Sequence, residues 1–142
     1  MSQMYQDLLD KKKKLAVIGL GYVGLPIALE FAKKIKVIGF DINAERIRMM
    51  QNKIDPSQEL ESSDFDHCDI EFTHDLDVLR LANFFIVAVP TPVDEHNIPD
   101  LVPVQRASDT IGKVIKKGDY VLYESTVYPG CTEEVCVPII EK

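Results

Sequence analysis

Residues 15–24 read LAVIGLGYVG, an apolar run followed by a glycine pattern. Its first four residues, Leu15–Ile18, are all apolar and lie between a lysine and a glycine, which is typical of a parallel strand that helices cover on both faces. A G-x-G-x-x-G pattern follows at once, at Gly19, Gly21 and Gly24. Beyond it, helical spacing of apolar residues predicts a helix over 22–34, through Val23, Ile27, Ala28 and Phe31. The stretch therefore predicts a strand, a glycine turn and a helix.

The rest of the chain repeats this alternation of strands and helices. Further strands are predicted at 36–40, 70–73, 84–89 and 120–123. Helices are predicted after the N-cap residues Asn43 and Asp100, a short one begins at Asp75, and a last one begins near Thr132. The polar stretch 52–69 predicts a long connection with at most one helical turn. In the short helix after Asp75, Leu76 and Leu79 are predicted to face inward, with Leu81 as a further candidate.

Such alternation predicts an α/β fold, a parallel sheet with helices on both faces. Right-handed crossovers make a doubly wound, Rossmann-type sheet of strand order 3-2-1-4-5 the simplest topology, and the sequence ends before a sixth strand. We expect two parts, a lead segment at 1–13 with a candidate short helix, and one domain at 14–142.

Composition narrows the classes of function. The chain has 142 residues, 46% of them apolar and 27% charged, which fits one globular domain. A net charge of −7 argues against a nucleic-acid or anionic-membrane partner, because both favour clustered Lys and Arg. No apolar run approaches the roughly 20 residues of a membrane span. The three cysteines, at 68, 131 and 136, have neither a disulfide framework nor the spacing of a zinc site, so we expect no metal and a cytoplasmic location.

The glycine pattern and a later carboxylate together predict a dinucleotide site. Gly19 permits the tight turn, Gly21 lets the backbone approach a pyrophosphate, and Gly24 lets helix and strand pack closely. Asp41, 22 positions after Gly19, ends the second strand, where a carboxylate accepts hydrogen bonds from the adenosine ribose hydroxyls. That carboxylate would repel a 2′-phosphate, so NAD is favoured over NADP, although the nearby Arg46 could accommodate the phosphate.

Two loops lie where a ligand of such a sheet binds, beyond the carboxyl ends of its strands. One is Val89-Pro90-Thr91-Pro92, whose prolines stiffen the backbone around the Thr91 hydroxyl. The other runs from Glu124 to Gly130 and carries Thr126, which could reach the nicotinamide end of the cofactor or a reacting hydroxyl. Threonines at such positions are as often turn residues as site residues.

Three separated runs, at 15–26, 89–92 and 124–134, resemble the N-terminal NAD-binding domain of the UDP-glucose/GDP-mannose dehydrogenase family. The last run is most similar to the branch that acts on UDP-N-acetylhexosamines, such as the UDP-N-acetylglucosamine 6-dehydrogenases of bacterial polysaccharide biosynthesis. The resemblance implies NAD-dependent oxidation of a sugar-nucleotide C6 alcohol to a carboxylate by two hydride transfers. It also implies a homodimer for the full-length enzyme.

The resemblance also assigns individual residues. Tyr22 and Val23 would lie along the dinucleotide phosphates, Asp41 and Arg46 would hold the adenosine ribose, and Thr91 and Thr126 would contact the cofactor. Thr126 would further assist the active-site water and a substrate oxygen, which makes it the one catalytic residue expected here. The full set expected to bind the cofactor is Gly19, Leu20, Gly21, Tyr22, Val23, Gly24, Asp41, Arg46, Val89, Pro90, Thr91 and Thr126.

The chain departs from the family in length. The catalytic lysine, asparagine and cysteine of the family, its central helix and its sugar-nucleotide domain would all lie downstream of Lys142, and neither Cys131 nor Cys136 matches the missing nucleophile. We therefore expect a cofactor-binding fragment that is inactive alone. The alternatives are a stand-alone dinucleotide-sensing module and the cofactor domain of another NAD- or FAD-dependent enzyme. The last does not explain the Thr91 and Thr126 loops together.

Overall fold

The computed structural model describes residues 2–21, 24–56, 58, 60–89 and 102–123. Its elements follow one another as a helix and then alternating strands and helices. They are α1 (Ser2–Leu9), β1 (Leu15–Ile18), α2 (Gly24–Ala32), β2 (Val37–Phe40), α3 (Ala44–Gln51), a 3₁₀ turn (Ser62–Phe65), β3 (Ile70–Thr73), α4 (Leu76–Leu79), β4 (Phe84–Val87), α5 (Val102–Val114) and β5 (Tyr120–Tyr123).

The strands form one parallel sheet of order β3-β2-β1-β4-β5, which confirms the predicted fold. The four-residue strands end flush, since Ile18 pairs with both Phe40 and Val87. All carboxyl ends therefore meet at one edge, which we call the carboxyl edge, and the strands begin at the opposite amino edge. The strand order reverses next to β1, between the loops that leave β1 and β4, so a ligand crevice is expected there.

Helices cover the sheet on both faces, and each face has its own core. The first core lies under α2 and α3, and Leu8 of α1 joins it with 5% of its surface exposed. The second lies under α4 and α5 and includes Phe85, Leu79 and Ile111, each 0% exposed. All four residues of β1 are buried, as the run Leu15–Ile18 predicts for a strand covered on both sides.

The predicted N-cap at Asn43 is confirmed in atomic detail, and the structure shows a second N-cap at Asp75. The Asn43 side-chain oxygen accepts hydrogen bonds from the backbone N–H groups of Glu45 (3.0 Å) and Arg46 (3.2 Å) at the start of α3. The Asp75 carboxylate accepts from the Asp77 N–H at the start of α4. These caps satisfy N–H groups that have no partner within their helices.

One sequence-based expectation about packing, the inward placement of Leu81, is wrong. Leu81 is 56% exposed, because α4 ends at Leu79 and the following turn brings Ala82 inward instead. The helix predicted after the glycine pattern exists as α2, but Phe31 is 40% exposed. The buried face of α2 comprises Gly24, Leu25, Ala28, Leu29 and Ala32.

Some expectations lie outside the described residues. They concern the Asp100 N-cap, the proline-rich loop after β4 and the helix near Thr132. Of the helices in the part of the chain that is described, none has both the length and the apolar character needed to cross a membrane.

Candidate dinucleotide-binding site

Two glycines of the G-x-G-x-x-G pattern are required by close packing within the protein. Gly19 has a φ of +92°, and a Cβ there would lie 2.7 Å from Cγ1 of Val89. A Cβ on Gly24 would lie only 1.7 Å from the carbonyl oxygen of Gly19. A side chain at Gly19 would therefore collide with Val89, just after β4, and a side chain at Gly24 would collide with the turn itself, so these glycines bring β1, α2 and the end of β4 together.

Gly21 differs from these two glycines. Among the described residues, a Cβ at Gly21 would meet nothing closer than Nη2 of Arg46, at 4.0 Å. Packing against those residues therefore does not demand a glycine there. The open space lies at the start of α2, where free backbone N–H groups and the helix dipole favour an anion. A bare backbone at that place suits the close approach of a pyrophosphate.

Asp41 follows β2 and is fixed by the backbone on both sides. Its Oδ2 accepts a hydrogen bond from the N–H of Leu20 (3.2 Å), and its Oδ1 accepts from the N–H of Asn43 (3.0 Å). The side chain is 15% exposed. Because each carboxylate oxygen can accept a second hydrogen bond, the group can still bind two hydroxyls of a ribose.

Arg46, on α3, holds the same loop from its other side. Its Nη2 donates to the carbonyl oxygen of Leu20 (3.0 Å), and its Nε lies 3.8 Å from Oδ2 of Asp41. The backbone of Leu20 is thus held through its N–H by Asp41 and through its C=O by Arg46. The glycine loop and the acidic residue form one connected unit.

These groups surround a cavity of about 510 Å³ at the carboxyl edge. Its volume lies within the range of small-molecule and cofactor sites. The β1 and β2 side contributes the loop, Asp41, Ile42 and Arg46, and the other side is formed by Val89 and the first half of α5. The cavity therefore lies at the strand-order reversal, as expected for this topology.

The structure brings six of the predicted site residues to this cavity, namely Gly19, Leu20, Gly21, Asp41, Arg46 and Val89. Gly24 packs behind it, against Gly19. Tyr22, Val23, Pro90, Thr91 and Thr126 lie outside the described residues.

Ile42, Val102 and Arg106 are among the cavity-lining residues that sequence reasoning missed. The only signal for Ile42 was its place, directly after the predicted ribose ligand. For Val102 and Arg106 the sequence carried no usable signal, because they reach the cavity through the connection from β4 to α5.

A parallel 3-2-1-4-5 sheet, a packed glycine turn and a fixed carboxylate at the end of β2 define a Rossmann-type dinucleotide-binding domain. The chain belongs to the UDP-glucose/GDP-mannose dehydrogenase family, whose NAD binding domain model matches residues 13–142. This membership confirms the predicted family and the predicted cofactor, NAD.

Individual relatives agree with this assignment. The chain is 56% identical over 133 residues to a UDP-N-acetyl-D-glucosamine 6-dehydrogenase of Pseudomonas aeruginosa, an alignment that covers 93% of this chain and 32% of the relative. It is 53% identical over 130 residues to the protein CapL of Staphylococcus aureus, covering 92% of this chain and 31% of that protein. The chain thus spans about a third of the length of these curated relatives.

Solved structures show the same fold. An NDP-N-acetyl-D-galactosaminuronic acid dehydrogenase from Methanosarcina mazei superposes with a TM-score of 0.83 at 28% identity. The superposition covers 96% of this chain and 33% of that one.

Proposed function

We propose that this chain is the NAD-binding part of an enzyme that oxidises the C6 alcohol of a UDP-N-acetylhexosamine to the uronate. NAD, when bound, supplies the hydride acceptor, and two molecules are reduced to NADH for each alcohol that becomes a carboxylate, with one water consumed. The relatives with identities of 48–56% that act on UDP-N-acetyl-D-glucosamine support this substrate class.

The observation that carries the proposal is the connected unit of Leu20, Asp41 and Arg46 beside the open backbone of Gly21. Asp41 is held by two backbone N–H groups and keeps acceptor capacity that suits a ribose diol. Among the described residues, a Gly21 Cβ would meet no atom within 4.0 Å except Nη2 of Arg46, which suits the approach of a phosphate group. These two places suit the adenosine ribose and the pyrophosphate of one NAD molecule.

The remaining assignments extend this proposal. We propose that residues 14–142 form the cofactor domain and that 1–13 lead into it. Tyr22, Val23, Pro90, Thr91 and Thr126 then complete the NAD site, and Thr126 also assists the reacting water and substrate oxygen. The full-length protein would be a cytoplasmic homodimer without nucleic-acid or membrane partners.

Calorimetry with NAD and NADP tests the proposal on the 142-residue chain. We expect NAD to bind and NADP to bind more weakly, because the Asp41 carboxylate repels a 2′-phosphate. Asp41→Ala should weaken NAD binding by about 1.5–3 kcal/mol, the range for hydrogen bonds to a charged group. The matched control is Asp109→Ala, which removes an exposed carboxylate paired with Lys113 on α5.

We also expect no NADH from UDP-N-acetylglucosamine and NAD with this chain alone. Absence of NAD binding by the wild-type chain would refute the cofactor assignment. NADH production would refute the expectation that the chain needs the rest of its relatives' length for catalysis.

A further inference from the structure

Arg106 stands apart from the other arginines of this chain. The sequence has four, at 46, 48, 80 and 106. Arg46 donates to the Leu20 carbonyl, Arg48 pairs with Glu45, and Arg80 pairs with Asp77. With respect to the described residues, the Arg106 guanidinium makes no hydrogen bond and no ion pair. Its side chain is exposed and lines the cavity at the carboxyl edge.

Two exposed apolar side chains line the same cavity. Ile42 is 69% exposed and Val102 is 44% exposed. Leaving apolar side chains of this size in water forgoes the stabilisation that their burial would bring. Val102 and Arg106 are four residues apart on α5, so they lie on one face of that helix, one turn from each other. The cavity thus combines apolar walls with a planar cation whose guanidinium has no hydrogen-bond or ion-pair partner among the described residues.

The position of Ile42 indicates which part of a ligand these walls would cover. Ile42 directly follows Asp41 in the sequence, and the Asp41 carboxylate is the proposed partner of the ribose hydroxyls. A base attached to that ribose lies beside the next residue along the turn. The apolar walls and the guanidinium are therefore placed for a flat aromatic heterocycle, and a purine is the base of this kind in NAD.

We propose that Arg106 is a specificity residue that stacks its guanidinium plane on the adenine ring of NAD, with Ile42 and Val102 covering the rest of the ring. A guanidinium is well suited to this contact because it is planar, always charged and weakly hydrated. Arg46 is committed to the glycine loop, so Arg106 supplies this contact alone. The inference rests on the proposed NAD site and adds the residue that recognises its base.

The test compares three variants of the 142-residue chain by calorimetry with NAD and with ADP-ribose, which lacks nicotinamide. Arg106→Gln removes the charge and keeps a polar side chain of similar length. Arg106→Lys keeps the charge and removes the plane. Arg80→Gln removes an arginine just after α4 that does not line this cavity. Thermal unfolding of each variant verifies folding.

We expect Arg106→Gln to weaken both ligands by about three- to tenfold, the range for a partly exposed cation–π contact. Arg106→Lys should recover little of this loss, because an ammonium does not stack as a guanidinium does. Arg80→Gln should bind both ligands like the wild type. The loss should change little with added salt, since screening acts mainly on separated exposed charges.

Three results would overturn the proposal. One is unchanged NAD affinity in Arg106→Gln. Another is full recovery in Arg106→Lys, which would indicate attraction to phosphate charge. The third is a loss with NAD but not with ADP-ribose, which would indicate a contact with the nicotinamide end and not with adenine. A wild-type chain that binds no NAD would instead refute the proposed function, so the two failures are distinguishable.

Discussion

The two edges of the sheet use polar groups in opposite ways. At the carboxyl edge, Asp41 keeps acceptor capacity free and Gly21 leaves space beside bare backbone. At the amino edge, polar side chains bind the backbone just before the strands. The Asn83 side chain accepts from the Lys14 N–H (3.3 Å), and the Asn83 N–H donates to the Lys14 carbonyl (2.9 Å).

Lys116 adds further polar contacts at the amino edge. Its Nζ donates to the carbonyl oxygens of Arg80 (2.7 Å) and Ala82 (2.8 Å), which precede β4. It also lies 3.1 Å from the carboxylate of Asp119, whose side chain is only 4% exposed. At the amino edge, polar side chains link the strands, whereas the carboxyl edge is left open for a ligand. Stability and cofactor binding should therefore respond separately to substitution.

The strongest contrast in stability is expected between substitutions at two glycines of one loop. Gly24→Ala places a Cβ 1.7 Å from the Gly19 carbonyl oxygen, so we expect the free energy of unfolding to fall by about 3 kcal/mol. Gly21→Ala should leave stability within about 0.5 kcal/mol of the wild type, because the nearest atom of the described residues to its Cβ would be Nη2 of Arg46, at 4.0 Å. It should weaken NAD binding by about tenfold, or about 1.4 kcal/mol.

Urea unfolding and calorimetry with NAD measure the two quantities. Unimpaired NAD binding by folded Gly21→Ala would contradict the placement of the pyrophosphate at Gly21. It would also remove the clearest difference between the two edges.

An intermediate effect is expected at the amino edge. Asn83→Ala should lower the free energy of unfolding by about 1 kcal/mol, because it removes the hydrogen bond to Lys14. The affinity for NAD should not change, since a four-residue strand separates the two edges by roughly 13 Å. Asn52→Ala, which removes an exposed hydrogen bond to the Arg48 carbonyl, is the matched control for stability. A weaker affinity in Asn83→Ala would show that the edges are coupled.

The smallest effect concerns Cys68, just before β3 at the amino edge. Burial raises the pKa of its thiol, and the carboxylates of Asp66 and Glu30 add to this, whereas Lys33 and Lys53 oppose it. The folded state therefore keeps the proton to higher pH than the unfolded chain does. This contribution to stability is fully present below the ordinary thiol pKa of about 8.5 and is lost as the pH rises above it.

Urea unfolding at about pH 7.5 and about pH 9.5, on either side of that pKa, tests this expectation. The free energy of unfolding should fall more for the wild type than for Cys68→Ala, and the difference in slope isolates this thiol from Cys131 and Cys136. Equal slopes would contradict the expected shift.

The sequence predicted those parts of the site that depend on short stretches of chain. Gly19, Gly24 and Asp41 could be assigned because a turn, a close approach and a strand end each leave a local pattern. The inward face of α2 was harder, since both Phe31 and Leu29 fit helical spacing and only the sheet beneath decides between them. Leu81 was misassigned because a turn, which apolar spacing does not detect, ends α4 two residues earlier.

Arg106 could not be found from sequence for a different reason. It lies 65 positions after Asp41, and its role depends on where the crossover from β4 brings α5. It also depends on the lack of a partner for its guanidinium among the described residues. Neither property can be inferred from the residues that neighbour Arg106 in the sequence.

The two hydrogen bonds that hold the Leu20 backbone have a consequence for the rate of NAD binding. Because Asp41 and Arg46 already fix the backbone N–H and C=O of Leu20, this part of the loop need not rearrange when NAD binds. In a stopped-flow experiment, the observed association rate should then rise in proportion to NAD concentration without reaching a plateau.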